Sequence, residues 1–448
     1  MTMDVDALVI GGGIAGLQSA LDLADQGFQV LLVERQPSIG GTMIALSKVF
    51  PTLDCASCIT TPKMAAVAHH ENITMFTYTE VESVRKEGDK FKVLVTRKPR
   101  YVDESKCTGC RVCEFSCPVD LPHEFEGNLG ARKAIYVPFG TAIPQKAVLD
   151  LEHCILCGKC EKVCPAQAVD FLQEPEQVTV TARAIILATG FNLTPMGAKK
   201  EYHAEEYPNV INALQMERLL APNGPYGRVL RPSDGKIPNN IAYIQCAGSR
   251  DKSLGVPYCS RVCCMYAIKQ AMLLSGALPL ADITIYYMDI RAFGKGYEQF
   301  FQTARAMGIN FVKGKVARIE QMENGDLKLR VELMDETGAV SEPIHDLVVL
   351  SLGMVPGCDL QQIIPVETDQ YGFVKSPQPK IDPTLTSLEG VFAAGTAISP
   401  KDIVDTIIEG SAAAAKAAVY LGAPAAVGGN GTGLKPRIEA AKLASEAA

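Results

Sequence analysis

No apolar run in this 448-residue sequence reaches the roughly 18 residues that a membrane-spanning helix requires, so no transmembrane segment is expected. No secretory leader is expected either: Met1–Asp6 runs at once into an apolar strand that ends in glycines, with no basic stretch and no cleavage site. Positive charge is not in excess. The net charge of −7 gives no reason to expect nucleic acid and leaves proteins or cofactors as partners. There is no evident catalytic serine and no metal-hydrolase motif. What remains is a chain long enough for two or three domains, with 47% hydrophobic residues and 38 glycines, a composition that suits α/β architecture.

Cysteine is abundant, at fifteen residues. Cys107, Cys110, Cys113 and Cys117-Pro118 are answered by Cys154, Cys157, Cys160 and Cys164-Pro165, and both runs read C-x2-C-x2-C-x3-C-P. That spacing is the bacterial ferredoxin signature, in which the fourth cysteine of each run serves the other cluster. The expected ligand sets are therefore Cys107, Cys110, Cys113 and Cys164 for one [4Fe–4S] cluster, and Cys154, Cys157, Cys160 and Cys117 for the second. Zinc sites normally use paired C-x2-C knuckles without a third cysteine or the C-P ending. Exposed iron–sulfur thiolates need a reducing compartment, so a soluble, cytoplasmic protein is expected.

Ala7–Ile10 reads as a strand, Gly11-Gly12-Gly13-Ile14-Ala15-Gly16 follows it, and Leu17–Asp25 has a helical pattern. This is G-x-G-x-x-G in its proper context. The glycines allow a tight turn, close approach of a pyrophosphate and close helix–strand packing, and the helix N-terminus favours negative charge. A second strand, Gln29–Val33, ends in Glu34-Arg35. Glu34 lies 18 residues past Gly16, near the spacing of an acid that binds a ribose hydroxyl. Gly40-Gly41-Thr42, Ala188-Thr189-Gly190 and Gly390–Gly395 then complete a pattern that resembles the FAD-binding flavoproteins of the glutathione and thioredoxin reductase class. That class usually has Gly-Asp where this sequence has Gly395-Thr396, so Thr396 or a backbone amide is expected to take the acid's place. The alternating strands Lys90–Thr96 and Gln177–Thr181 are expected to be antiparallel neighbours, with the ferredoxin module inserted between them.

Two further groups of cysteines have more than one reading. Cys55 and Cys58, in the stretch Phe50–Cys58, have either a redox or flavin-side role or are buried structural thiols. From about Pro195 to His345 strands and helices alternate again, but Cys246-Ala247-Gly248-Ser249-Arg250 stands where a nicotinamide-binding domain would carry a second glycine fingerprint, so that site reads as lost. Cys246, Cys259, Cys263 and Cys264 fall within 19 residues. They fit neither a disulfide framework nor a standard zinc spacing, and a third [4Fe–4S] cluster is the best account, although adjacent cysteines also occur as buried core residues.

The C-x12-C-x3-C-C arrangement, the ferredoxin insert before Ala-Thr-Gly, Phe50–Cys58, and Gly395-Thr396-Ala397-x3-Lys401-Asp402-Ile403 together resemble the A subunit of heterodisulfide reductase, over about residues 5 to 420. The resemblance implies that the quartet Cys246, Cys259, Cys263 and Cys264 holds a cluster beside the FAD. It also implies that Lys269, five residues past Cys264, lies near the flavin N5. Heterodisulfide reductase B- and C-like subunits, an electron-donor or acceptor protein, and a homodimer within a larger complex are the implied partners. Longer members carry an extra N-terminal domain and a C-terminal two-cluster ferredoxin domain. Hydrogenase docking and electron bifurcation therefore stay open. Two rival readings stay open as well: a wiring scaffold without catalysis, and a self-sufficient NAD(P)H-dependent oxidoreductase like the glutamate synthase small subunit.

The expected fold class is α/β: two dinucleotide-binding-like, Rossmann-type domains of the FAD-dependent disulfide reductase class, with an inserted two-cluster ferredoxin domain. The expected parts are an FAD-binding domain at 1–97, 176–225 and 350–422, the ferredoxin domain at 98–175, a degenerate second dinucleotide-like domain at 226–349, and a tail at 423–448.

Overall fold

A computed structural model describes residues 2–336 and 338–422; the tail expected at 423–448 lies outside them. The first sheet grows from the strand Thr2–Ile10. Parallel to it lie Val30–Val33 and then Ile73–Phe76 on one side, and the long strand Glu176–Leu187 on the other. Val30–Val33 is a fully buried aliphatic run, and Ala7–Val9 and Ala184–Leu187 are buried beside it, as strands covered on both faces must be. The helices Ile14–Ala24 and Ile403–Leu421 pack together on one face through small residues, and the Ser19 hydroxyl donates to the Gly410 carbonyl across the contact.

The strand Glu176–Leu187 does two jobs. From Thr179 to Leu187 it pairs with Thr2–Ile10, while its first half runs antiparallel to Lys90–Arg97, in register from Glu176 opposite Arg97 to Ala182 opposite Phe91. The antiparallel neighbours read from the sequence are thus present. The insert leaves and re-enters the sheet at directly opposed residues, and Arg97 and Glu176 form an ion pair at that point. Between them the insert is built on an approximate repeat. Two short helices, Val112–Ser116 and Lys159–Val163, each carry the third cysteine of a run and end at the fourth. Val102, Ala134, Ile135, Ala147, Leu149 and Ala168 form its small core.

The second sheet has the order Val210–Asn212, Leu347–Leu350, Asn240–Ile244, Asp282–Tyr287, Asn310–Gln321, all parallel, followed by the antiparallel strand Leu327–Leu333. One expected boundary needs correction. Residues from Val210 to Leu220 do not return to the flavin domain but form the edge strand and first helix, Ala213–Leu220, of the second domain. Ile211, Met216 and Leu219 enter its core, and Asn212 caps the helix in a reciprocal capping box with Gln215. The crossing between the domains lies earlier, at Phe191–Leu193, which pairs with Met354–Pro356.

Candidate functional site

One cavity of about 940 Å³ opens between the two domains and the insert. At one end are Gly11, Gly13, Ile14 and Ala15, at the head of the helix Ile14–Ala24. A Cβ on Gly11 would lie 2.2 Å from the Ala188 carbonyl oxygen, and one on Gly16 would lie 1.8 Å from the Gly11 carbonyl oxygen, so both positions must be glycine for the backbones to meet. Gly13 is different. Its Cβ would meet nothing closer than Gly41 Cα at 3.8 Å, so close packing does not demand a glycine there. Gly13 lines the cavity beside the unpaired N–H groups of a helix start, an arrangement that fits a pyrophosphate. Glu34 closes this end: its carboxylate accepts from the Gly12 N–H at 2.6 Å and from the Gln36 N–H at 2.8 Å. Burial raises the Glu34 carboxyl, and those two N–H groups oppose the rise.

Arg35, Gly41, Thr42, Thr189, Gly190, Thr396, Lys401, Asp402 and Ile403 also line the cavity. Gly16, Gly40 and Gly395 do not reach it and act through the backbone. Gly40 donates its N–H to the Gly12 carbonyl, and Gly395 donates its N–H to Glu409 Oε2, which is also paired with Lys401. Asp402 caps the helix Ile403–Leu421 by accepting from the Asp405 N–H and is held by the Tyr297 hydroxyl at 2.7 Å. A second helix N-terminus therefore points into the same space.

Lys269 is fully buried. It lines the cavity and forms an ion pair with Glu217, while its ammonium also donates to the Lys48 carbonyl at 2.9 Å. Glu217 in turn accepts from Gln270 Nε2 at 2.5 Å, from the Ser47 N–H at 3.0 Å and from the Ser47 hydroxyl at 2.6 Å. Burial alone would raise the Glu217 carboxyl, but the Lys269 ammonium and these donors hold it below the usual carboxylate range. Burial lowers the Lys269 ammonium, and Glu217 resists that shift. The pair is net neutral, so Lys269 does not present the bare positive charge that the family resemblance implied. No sequence motif marked Glu217, because its partners are 52 and 170 residues away.

The quartet gathers behind this cavity, and none of its four cysteines lines it. Cys246 follows the strand Asn240–Ile244, Cys259 lies in the next loop, and Cys263 and Cys264 open the helix Cys263–Ala277. Cys246, Cys263 and Cys264 are raised by burial and lie within electrostatic reach of one another and of Cys259. Val262, Tyr266 and Lys269, from the segment that carries Cys263 and Cys264, line the cavity, as does Leu352, whose carbonyl lies 3.8 Å from Cys263 Sγ. In the insert, Cys107, Cys110, Cys113 and Cys164 surround one small cavity, which is the crossed set. Cys160 has Cys154 and Cys117 as its electrostatic neighbours. Among the described residues no group of three or more His, Cys, Asp or Glu is drawn together tightly enough for a single metal ion. Each of these groupings is all-sulfur, the donor type that iron–sulfur clusters use. The insert also walls the flavin-sized cavity, through His123, Glu124, Phe125, Tyr136 and Phe139, none of which the sequence singled out.

Cys55 and Cys58 are not buried thiols and do not reach the cavity, which leaves a redox role away from it. They are bonded to each other, Cys55 half-buried and Cys58 exposed, and neither lines the cavity. Pairing of Lys48 with Cys55 and of Val49 with Asp54 closes the loop 48–55, so that Lys48, Val49 and Phe50 reach the cavity while the cysteine pair stays at the loop's base.

Fold and site together define a two-domain flavoprotein of the FAD-dependent oxidoreductase type carrying a two-cluster ferredoxin insert. Residues 6–54 match the FAD dependent oxidoreductase family, and residues 94–169 match the 4Fe-4S dicluster domain family. Thioredoxin reductases of T. acidophilum and Lactococcus lactis share the fold, with TM-scores of 0.52 and 0.53, 16% and 15% identity, and coverage of 92% and 93% of this chain and 97% and 99% of theirs. Over nearly its whole length the chain is similar to heterodisulfide reductase A subunits. It is 46% identical over 425 residues to the A subunit of the H(2):CoB-CoM heterodisulfide,ferredoxin reductase of Methanothermobacter marburgensis, covering 94% of this chain and 64% of the relative. It is 50% identical to the second iron-sulfur A subunit of the CoB--CoM heterodisulfide reductase of Methanopyrus kandleri, over 93% of this chain and 64% of that relative. The chain thus spans just under two thirds of the length of these relatives. No helix among its described residues is long and apolar enough to cross a membrane.

Proposed function

We propose that this chain is the flavin- and iron–sulfur-bearing electron-transfer component of a heterodisulfide reductase-like complex in a reducing cytoplasm. Bound FAD would supply two-electron chemistry and three [4Fe–4S] clusters one-electron steps, while the protein sets their positions and surroundings. Gly13 and the helix start at Ile14 seat the pyrophosphate, and Glu34 holds the glycine loop closed behind it. Thr396 and the N-terminus of the helix Ile403–Leu421 stand where negative charge is stabilised. Lys269 and Glu217 form an adjustable charge pair in the cavity wall. Cys246, Cys259, Cys263 and Cys264 hold the cluster nearest the flavin, and the crossed sets of the insert hold the other two. B- and C-like subunits, of the complexes that the relatives' names describe, are the partners that fit, with the chain present as a homodimer.

The observation that carries this reading is that a single cavity is walled by the dinucleotide loop, by the helix that bears Cys263 and Cys264, and by the ferredoxin insert. Anaerobic analysis of the purified protein should give about twelve iron and about twelve sulfide per FAD. A load of about eight iron would remove the third cluster. Absence of flavin absorbance would leave only a wiring scaffold.

A further inference from the structure

The bond between Cys55 and Cys58 has no place in the route just described. It lies outside the flavin cavity, and Cys58 is exposed. A cytoplasmic pair of cysteines that is solvent-accessible and bonded is rarely a structural staple, because cellular dithiols reduce such bonds; a redox role is the usual one. The local chemistry favours exchange. Cys55 is the N-cap of the helix Ala56–His69, and its sulfur accepts from the Cys58 N–H at 3.2 Å. A thiolate released there is stabilised by that N–H and by the helix N-terminus, which makes Cys55 the better leaving group and the exposed Cys58 the sulfur to be attacked.

The pair is tied to the flavin cavity through backbone. Lys48 bridges to Cys55, and the Ala56 N–H donates to the Ser47 carbonyl. The same two residues, Ser47 and Lys48, are gripped from the second domain by Glu217 and Lys269. Phe50, in the loop this bridge closes, packs edge-on against Tyr297, whose hydroxyl holds Asp402. Any movement of the cysteine pair therefore bears on the Lys269–Glu217 pair and on the cap of the helix Ile403–Leu421.

We propose that Cys55 and Cys58 form a surface thiol–disulfide exchange site that accepts two electrons from an external dithiol and, through Ser47 and Lys48, adjusts the Lys269–Glu217 pair at the flavin. The external thiolate attacks Cys58 Sγ, the Cys55–Cys58 bond breaks, and Cys55 leaves as a thiolate. The second thiol of the donor then displaces Cys58 from the mixed disulfide. The chain gains two electrons and two protons as two thiols, and the donor leaves as a disulfide. The coupling half of this proposal rests on the flavin reading above, and the exchange half does not.

The test uses the anaerobically purified full-length protein with dithiothreitol as the dithiol. Cys55 and Cys58 should resist alkylation at first and become labelled together as dithiothreitol is titrated in, as read by peptide mass spectrometry. Labelling of both before any reductant, or of neither in excess dithiothreitol, overturns the exchange site. The flavin midpoint potential should differ between untreated and dithiothreitol-treated protein. In the Cys55→Ser/Cys58→Ser variant it should sit at the treated value and no longer respond. A potential that stays the same while both cysteines become labelled overturns the coupling. Loss of flavin from every preparation would instead fault the flavin reading, and the alkylation result would still stand.

Discussion

Lys269 and Glu217 form a buried ion pair across two helices of the second domain, and together they bind the backbone of Ser47 and Lys48 in the first. Removing one partner leaves the other charge buried without compensation, which typically costs about 3–5 kcal/mol. The electrostatic consequences at the flavin are opposite in sign. Lys269→Met leaves a carboxylate facing the ring, disfavours negative charge there, and should lower the two-electron potential and slow reduction. Glu217→Gln leaves an ammonium and should raise the potential. Potentiometric titration of fully loaded variants checks this, and shifts in the same direction, or none, would contradict it.

Cys117 lies in the first cysteine run but is an electrostatic neighbour of Cys160 in the second. Cys117→Ser should therefore disturb the cluster of Cys154, Cys157 and Cys160 and spare that of Cys107, Cys110 and Cys113. Electron paramagnetic resonance combined with Cys164→Ser, which should do the reverse, separates the two. If each serine damaged its own run, the crossed assignment would fail.

Gly248 is the glycine that stands where a second nucleotide loop would be. A Cβ there would lie 2.0 Å from Thr194 Oγ1 and 2.8 Å from the Gly353 nitrogen, so this glycine serves close packing against the interdomain crossing, unlike the open Gly13. NAD(P)H is accordingly expected not to bind the isolated chain. Calorimetry that detected micromolar binding of either nucleotide would reverse that expectation.

His345 is 3% exposed, with its Nε2 2.9 Å from the Tyr286 hydroxyl and its Nδ1 2.6 Å from Asn240 Oδ1. Burial lowers its pKa to about 4. Between the ordinary histidine value near 6.5 and that lowered one, the unfolded chain binds a proton that the folded chain does not. Stability should then be full above about pH 6.5 and fall by up to roughly 1.4 kcal/mol per pH unit on acidification toward pH 4. His345→Gln should flatten this slope. Urea midpoints of wild type minus variant isolate the effect, since acid damage common to both cancels, and equal slopes would refute the assignment.

Much of this protein could be read from short stretches. The ferredoxin cysteines, the loop Gly11–Gly16 with Glu34, and the strands on either side of the insert are encoded by spacing within a few residues or by strand alternation, and local backbone geometry is enough to express them. Lys269 came from family likeness alone, and its likeness-based role as a free positive charge did not allow for Glu217. That partner, the wall formed by His123, Phe125 and Phe139, the place of Val210–Leu220 in the second sheet, and the position of Cys55 and Cys58 at the base of a loop outside the cavity were all set by packing. The cofactor chemistries open to the chain follow from residue types at fixed local spacing, and these are written in the amino-acid order. Which charges meet and which thiols face solvent is a matter of contacts between residues tens to hundreds of positions apart, and those contacts exist only once both sheets and the insert have closed on one another.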